Sequence, residues 1–322
     1  MNDYTKGLIY GLCVGDSLGS RYEFMEKKKL LEVVKQDTIN GFLPILGGGV
    51  FNTEPGQFTD DSEMALSLLC SLASKKTYSQ RETAKEYIKW YNTKPIDKGV
   101  TIERALASFT LVSQNNKDMM INSERYNKTS LSNGTLMRIA PMSLLYKTHE
   151  LKKIRSFIKK DCLLTHPNPF VIECTWLYVY TIIKCLEKKE KEKIFKKLLK
   201  LSKNPKLYLL ILDSKMRPEP VIIDSEEVFA DDPKLQGYIG IAFQSTLYEL
   251  FNGTDFDSSI INILKRGGDT DTNCAIAGAV LGAYYGFSSI NKNWIETVSS
   301  YKGERSKYYS TKLIDKYIDE IN

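Results

Sequence analysis

Apolar positions recur at three- and four-residue intervals along most of the chain, the period of helices buried on one face. The pattern predicts helices over 4–18, 60–75, 79–92, 99–114, 134–146, 150–164, 168–187, 189–203, 236–252, 256–265, 272–285 and 308–320. Strand-like alternation is nearly absent; VIIDSEEVF at 221–229 is the one stretch with β character. The expected fold class is therefore all-α. No Pro/Gly/Ser-rich linker and no repeat divides the sequence, so residues 1–322 read as a single compact domain.

Two of these helices carry small-residue stripes. The first has Gly7, Gly11, Gly15 and Gly19; the late one has Gly278, Gly282 and Gly286, interleaved with Ala275, Ala279 and Ala283. Four-residue spacing puts each set on one helix face. Glycine costs a helix about 1 kcal/mol relative to alanine, so its repetition implies that another backbone must come close. The two striped helices are expected to be neighbours near the centre of the fold.

Composition changes this picture little. Apolar residues make up 42% and charged residues 26%, ordinary values for a chain of 322 residues able to bury a sizeable core. The net charge of +6 is mild. It helps attract an anion but selects none. The densest basic run, KKEKEKIFKKLLK at 188–200, mixes Glu with Lys at helical spacing and reads as a solvated helix face, so stable nucleic-acid binding is not expected. Six cysteines form no CxxC pair and mostly sit in apolar helical stretches, as buried thiols of a reducing compartment do. The N-terminal MNDYTKGLIYGLCVGD lacks a basic leader region and a clear cleavage site, and no run reaches the roughly 18 apolar residues of a membrane span. A soluble cytoplasmic protein is the expectation.

Candidate chemistry lies in five segments. In GQFTDDSEMALSLL, 56–69, helix capping by Thr59 or Asp60 would use one oxygen-bearing residue, yet Thr59, Asp60 and Asp61 are followed at once by Ser62 and Glu63. Hard divalent cations bind such oxygen clusters. In RGGDTDTNCAIAGAVLGAYYG, 266–286, Asp269 and Asp271 alternate with Thr270 and Thr272 at the mouth of the second striped helix. Two carboxylates this close repel unless one is protonated or a cation lies between them. The spacing of a calcium hand is missing. If the two segments converge, four Asp with Thr59 and Thr272 suit two magnesium ions better than one. Only two His, His149 and His166, argue against zinc or copper. Elsewhere, GDSLGSRYEF (15–24) carries Glu23 in a loop, by itself an ordinary solvated residue. SNGTLMRIAPMSLL (132–145) offers a turn before a helix, where backbone N–H groups can hold an anion. LLTHPNP (163–169) reads as a helix-ending turn around His166.

Taken in order, GDSLGSRYE, FTDDSEMAL, SNGTLMRIAP, THPNP, GYIGIAFQSTLYEL and GGDTDTNCAIAGAVLGAYYG resemble the ADP-ribosylglycohydrolase family, over residues 5–287. The TDDS and GGDTDT pair is the specific part. The resemblance implies a compact all-α fold with a binuclear magnesium centre, manganese being an alternative ion. By position, Thr59, Asp60, Asp61, Asp269, Asp271 and Thr272 match the family's metal ligands, and Glu23 its acidic residue over the scissile bond. Ser132, Asn133 and Gly134 fall where the family's loop contacts phosphates and ribose. His166 and Tyr238 match positions near the ligand, Tyr238 as a stacking partner for adenine. Residues 115–131 and 203–235 depart from the family pattern.

The implied reaction is hydrolysis of the bond from ribose C1″ to an acceptor on a protein, nucleic acid or small molecule, through an oxocarbenium-like state. Magnesium can orient the ribose and lower the pKa of a bound water, and Glu23 or a metal-linked Asp can move the proton. A monomer acting without a membrane is expected. Two other readings stay open: an ADP-ribose-binding or crystallin-like protein without activity, and a two-metal phosphoesterase releasing AMP.

Overall fold

A computed structural model describes residues 2–107 and 115–321. Among them are sixteen α-helices and one two-stranded hairpin, an all-α architecture. In chain order the helices are α1 (Asp3–Gly19), α2 (Lys27–Asp37), α3 (Asp60–Lys75), α4 (Gln80–Asn92), α5 (Val100–Leu106), α6 (Asn116–Tyr126), α7 (Leu136–Ile139), α8 (Leu151–Cys162), α9 (Pro169–Leu186), α10 (Lys191–Leu201), α11 (Pro205–Asp213), α12 (Ile239–Asn252), α13 (Phe256–Leu264), α14 (Thr270–Tyr285), α15 (Lys292–Ser300) and α16 (Thr311–Ile321). The end of the helix expected over 99–114 lies outside the described residues.

The glycine stripes do what their spacing demands. α1 and α14 run antiparallel in direct backbone contact. A Cβ on Gly11 would overlap the carbonyl oxygen of Gly278, and one on Gly278 the carbonyl oxygen of Gly11; Gly7 and Gly282 repeat the arrangement a turn away. At the far end of the stripe Gly19 meets the backbone of Asp271, and the Thr270 hydroxyl donates to Gly19 O at 2.8 Å. The close approach therefore fixes where the acidic start of α14 stands relative to the end of α1. α9, α12 and α13 pack on α14, while α3 is flanked by α4, α7 and α16. Buried apolar side chains from Leu8 to Ile321 share one core.

Several elements differ from the periodicity. α2, α6, α11 and α15 are additional helices. α2 and α15 bury only two residues each, Leu30 with Val34 and Trp294 with Val298, too short a stripe to stand out. α11 exposes Tyr208, Leu209 and Leu212, so its apolar run shows no clean helical period. The helix expected over 134–146 is α7 followed by a 3₁₀ segment from Ala140 to Lys147, because Pro141 cannot continue the α-helical bonding. The β-like stretch is a hairpin, β1 (Val221–Ile223) paired with β2 (Glu226–Val228), with Asp224 and Ser225 both at positive φ in the turn. α9, at 18 residues and mean hydropathy 1.3, is long and apolar enough to cross a membrane, although its sequence is broken by Glu173 and Lys184. It is 72% buried within the fold, as a central core helix is.

Candidate active site

Three helix ends converge on one acidic cluster. Neither α3 nor α14 is capped by its own N-cap side chain, Thr59 or Asp269. Asp16, in the last turn of α1, caps α3 from outside. Its carboxylate accepts from Thr59 N and Ser62 N, both at 3.1 Å, from Thr59 Oγ1 at 2.7 Å, and from the Ser62 hydroxyl. Asp60 and Asp61 are thereby freed from capping. At α14, Asp269 Oδ2 accepts from Asn133 Nδ2 at 2.7 Å, and Asp271 Oδ1 accepts from Thr272 N at 2.8 Å.

One oxygen from each of Asp16, Asp61 and Asp271 lies within 4.8 Å of the other two, and Glu23, Asp97 and Asp271 form a second such group. All are buried except the half-buried Asp97. None has an ion-pair partner among the described residues; the buried pairs are Arg138–Asp161, Arg266–Glu249 and Arg305–Glu63. Glu23 Oε2, Asp61 Oδ1 and Asp271 Oδ2 are buried without a hydrogen-bond partner. The Thr59 hydroxyl lies 2.7 Å from Asp16 and 2.9 Å from Asp61. Its single proton cannot serve both charged groups.

Burial, then repulsion, pushes these acids up. Burial moves Glu23 to about 10, with the charges of Asp269, Asp97 and Asp61 adding to it. Asp16 rises by burial to about 6, held down by the Ser62 and Thr59 hydrogen bonds. Asp61 rises through burial and the charges of Asp16 and Asp269, and Asp271 through burial and those of Glu23 and Asp61. Burial likewise raises Asp60 and Asp269. A cluster of oxygen donors with surplus charge, unpartnered lone pairs and no imidazole or thiolate fits hard divalent cations.

The cluster forms the floor of a cavity of 360 Å³, in the size range of small-molecule sites. Glu23, Asp60, Asp269 and Thr272 line it, facing Ser132, Asn133, Gly134 and His166; Asp97 to Ile102 close a third side. Asn133 N donates to Gly237 O at 3.0 Å, which pins the 132–134 loop to the entrance of α12. A Cβ on Gly134 would come within 3.0 Å of the His166 ring, so glycine lets the imidazole lie against the loop. Ser132 Oγ stands 2.8 Å from His166 Nε2.

Of the residues singled out from sequence, eight therefore line the cavity. Thr59, Asp61 and Asp271 lie beneath its floor, nearly inaccessible. Tyr238 is not among the residues lining this cavity; its backbone bridges Ser132, and its ring stacks on Phe170 with centroids 6.3 Å apart. Two acidic residues were not foreseen. Asp16 reads by pattern as the end of the first striped helix, and its capping role depends on a contact 43 positions away. Asp97, in TKPIDKG between α4 and α5, has no distinguishing local pattern.

Residues 2–321 match the family model described as ADP-ribosylglycohydrolase. A protein of Acanthamoeba polyphaga mimivirus, provisionally named an ADP-ribosyl glycohydrolase, is 33% identical over 91% of this chain and 90% of its own. The Rhodospirillum rubrum glycohydrolase of ADP-ribosyl dinitrogen reductase is 28% identical over 92% of this chain and 90% of its own. A solved ADP-ribosylglycohydrolase-related protein complex has the same fold, with a TM-score of 0.76 at 24% identity over 99% of this chain and 98% of that one. The chain belongs to the ADP-ribosylglycohydrolase family, whose members are hydrolases of ADP-ribosyl linkages.

Proposed function

With that membership as the premise, we propose that the chain works as one domain, a magnesium-dependent hydrolase that cleaves the ribosyl C1″ bond of ADP-ribosylated substrates and releases ADP-ribose. The observation that carries this reading is the set of buried carboxylate oxygens, on Glu23, Asp61 and Asp271, left without partners beside a cavity whose opposite wall is a loop of N–H and hydroxyl groups. Thr59, Asp60, Asp61, Asp269, Asp271 and Thr272 would hold two divalent ions, magnesium or manganese. Such ions orient ribose hydroxyls and lower the pKa of a bound water.

The protein's own groups account for the rest. Ser132, Asn133, Gly134 and His166 hold the diphosphate and ribose against the wall. Asn133, through its 2.7 Å bond to Asp269, ties that wall to the acidic floor and keeps the sugar in register with it. Glu23, buried and aimed into the cavity, moves the proton at the scissile bond. Tyr238, joined to Ser132 through its backbone, stacks on adenine. The acceptor freed belongs to an ADP-ribosylated protein, nucleic acid or small molecule in the cytoplasm, with the enzyme acting as a monomer.

A panel of defined substrates, carrying ADP-ribose on arginine, serine, an acetyl ester or a nucleic-acid end, tests this with magnesium and with chelator. Release of ADP-ribose from at least one, abolished by chelator, is expected. Tight ADP-ribose binding without release from any would favour the binding protein, and AMP as product the phosphoesterase.

A further inference from the structure

Behind the cavity wall lies a second buried polar chain. Arg138, wholly buried on α7, spreads its guanidinium over three elements. Nη1 donates to Gly134 O at 2.6 Å, and Nη2 to Asp161 Oδ1 at 3.0 Å and to Thr165 Oγ1 at 2.7 Å. Thr165 Oγ1 is in turn 2.8 Å from His166 Nδ1, and His166 Nε2 is 2.8 Å from Ser132 Oγ. Ser132 Oγ reaches Thr101 Oγ1 and Ser130 Oγ, both at 3.2 Å, and Ser132, Thr101 and His166 line the cavity.

The polarity of this chain follows from its first member. A guanidinium only donates. Thr165 Oγ1 must therefore accept from Arg138, and its one proton has no other acceptor than His166 Nδ1 among the described residues. Were Nδ1 protonated instead, two donors would face one hydroxyl, and a hydroxyl proton would be stranded where exposure is zero. Nδ1 is thus the acceptor, and the ring proton of neutral His166 sits on Nε2, aimed at Ser132 Oγ. Burial and the charge of Arg138 hold the ring well below its ordinary pKa, hence neutral. With Nε2–H donating to it, Ser132 has its own proton left for Thr101 or for a ligand. In the opposite tautomer a bare Nε2 would capture that proton.

We infer that Arg138, without touching ligand, fixes the tautomer of His166 through the Thr165 hydroxyl and so makes Ser132 a hydrogen-bond donor to an anionic phosphate oxygen in the cavity. This rests on the reading of the 132–134 wall as the diphosphate-holding side. The bond from Ser132 to Thr101, at 3.2 Å between neutral groups, is exchanged for a shorter charge-assisted one when such an oxygen arrives. Arg138 and Thr165 are positioning residues on this account, and Arg138 also holds the Gly134 carbonyl so that loop and imidazole keep their mutual register.

The chain has two histidines, which makes the ring state directly observable. Imidazole ¹⁵N spectra of the full-length protein, with a His149→Gln variant to assign signals, are expected to show His166 neutral, protonated on Nε2 and bare on Nδ1. In Thr165→Val the fixed preference is lost, and the affinity for ADP-ribose, measured by calorimetry with magnesium present, falls roughly 10–100-fold, the worth of one hydrogen bond to a charged group. Thr165→Ser restores both. Ser132→Ala keeps the tautomer and loses the affinity. A wild-type ring protonated on Nδ1, or Thr165→Val binding ADP-ribose as tightly as wild type, overturns the inference; should Thr165→Val not fold, the wild-type spectrum and Ser132→Ala still decide it. If the unaltered protein binds no ADP-ribose, the function proposed above fails, and with it the ligand assigned to Ser132, whereas the spectrum separately decides the tautomer.

Discussion

Two buried charged clusters flank the same cavity, and they are built on opposite terms. Around Arg138 and Asp161, both with side chains fully inaccessible, one positive and one negative group face each other, and the guanidinium finds acceptors in Asp161, Thr165, Gly134 and the Tyr87 hydroxyl. Around Asp61 and Asp271, carboxylates meet carboxylates, no basic group is paired with any of them among the described residues, and several oxygens have no donor. Burying a charge is tolerable when it is paired and hydrogen-bonded, and costly otherwise. The first cluster is complete as the polypeptide makes it. The second supplies one half of an interaction, and divalent cations fit the other half.

The largest effect should come from removing that half. Asp61→Asn and Asp271→Asn keep shape but halve the donor capacity of the deepest residues, so turnover should become undetectable, beyond the roughly 10–100-fold loss typical of a residue that only supports a ligand. Steady-state assays over a magnesium titration check this. The same variants should fold at least as well as wild type in chelator, because each removes a like charge from a crowded site. Glu23→Gln tests a carboxylate that acts beside the ions instead of holding them. It should lose about 10²–10⁴ in single-turnover rate while binding ADP-ribose nearly as well, by calorimetry. If binding falls in step with rate, Glu23 is a binding residue.

The complete cluster should respond in the reverse sense. Arg138→Met strands Asp161 in the core and should cost about 3–5 kcal/mol of stability, seen as a lower denaturation midpoint in chelator and in magnesium alike. Arg138→Met with Asp161→Leu should recover much of it. A further effect is a slope. In cation-free protein the folded state holds Asp16 at about 6 and Glu23 at about 10, above ordinary carboxyl values, so it binds more protons than the unfolded chain. Stability should then fall as pH rises, from about 4, where unfolded carboxyls titrate, towards 10. Melting temperatures between pH 5 and 9 should decline in chelator, and the decline should flatten with magnesium. A flat profile in chelator would mean that the carboxylates are already compensated.

What could be read from sequence was what local spacing encodes. The four-residue glycine interval required two backbones to touch, and α1 against α14 is that contact. The TDD and DTD runs sit at helix starts, and the fold brings both to one cavity. Asp16 and Asp97 were less legible for different reasons: Asp16 sits in the last turn of a helix and meets α3 only in the fold, and Asp97 lies on a loop with no pattern of its own. Tyr238 was legible only through its motif, and the fold joins its backbone to Ser132 and its ring to Phe170. Arg138 was visible as a helix residue, but its role follows only from three simultaneous contacts that no spacing reveals.

The contrast between the clusters reduces to one titration. Chelator-treated protein is titrated with manganese or magnesium in a calorimeter, and ADP-ribose release is followed over the same range. The account expects saturable binding of two ions per chain, rate rising with occupancy, and both lost in Asp61→Asn and Asp271→Asn. Absence of saturable binding, or binding and turnover unaltered by those substitutions, would contradict it.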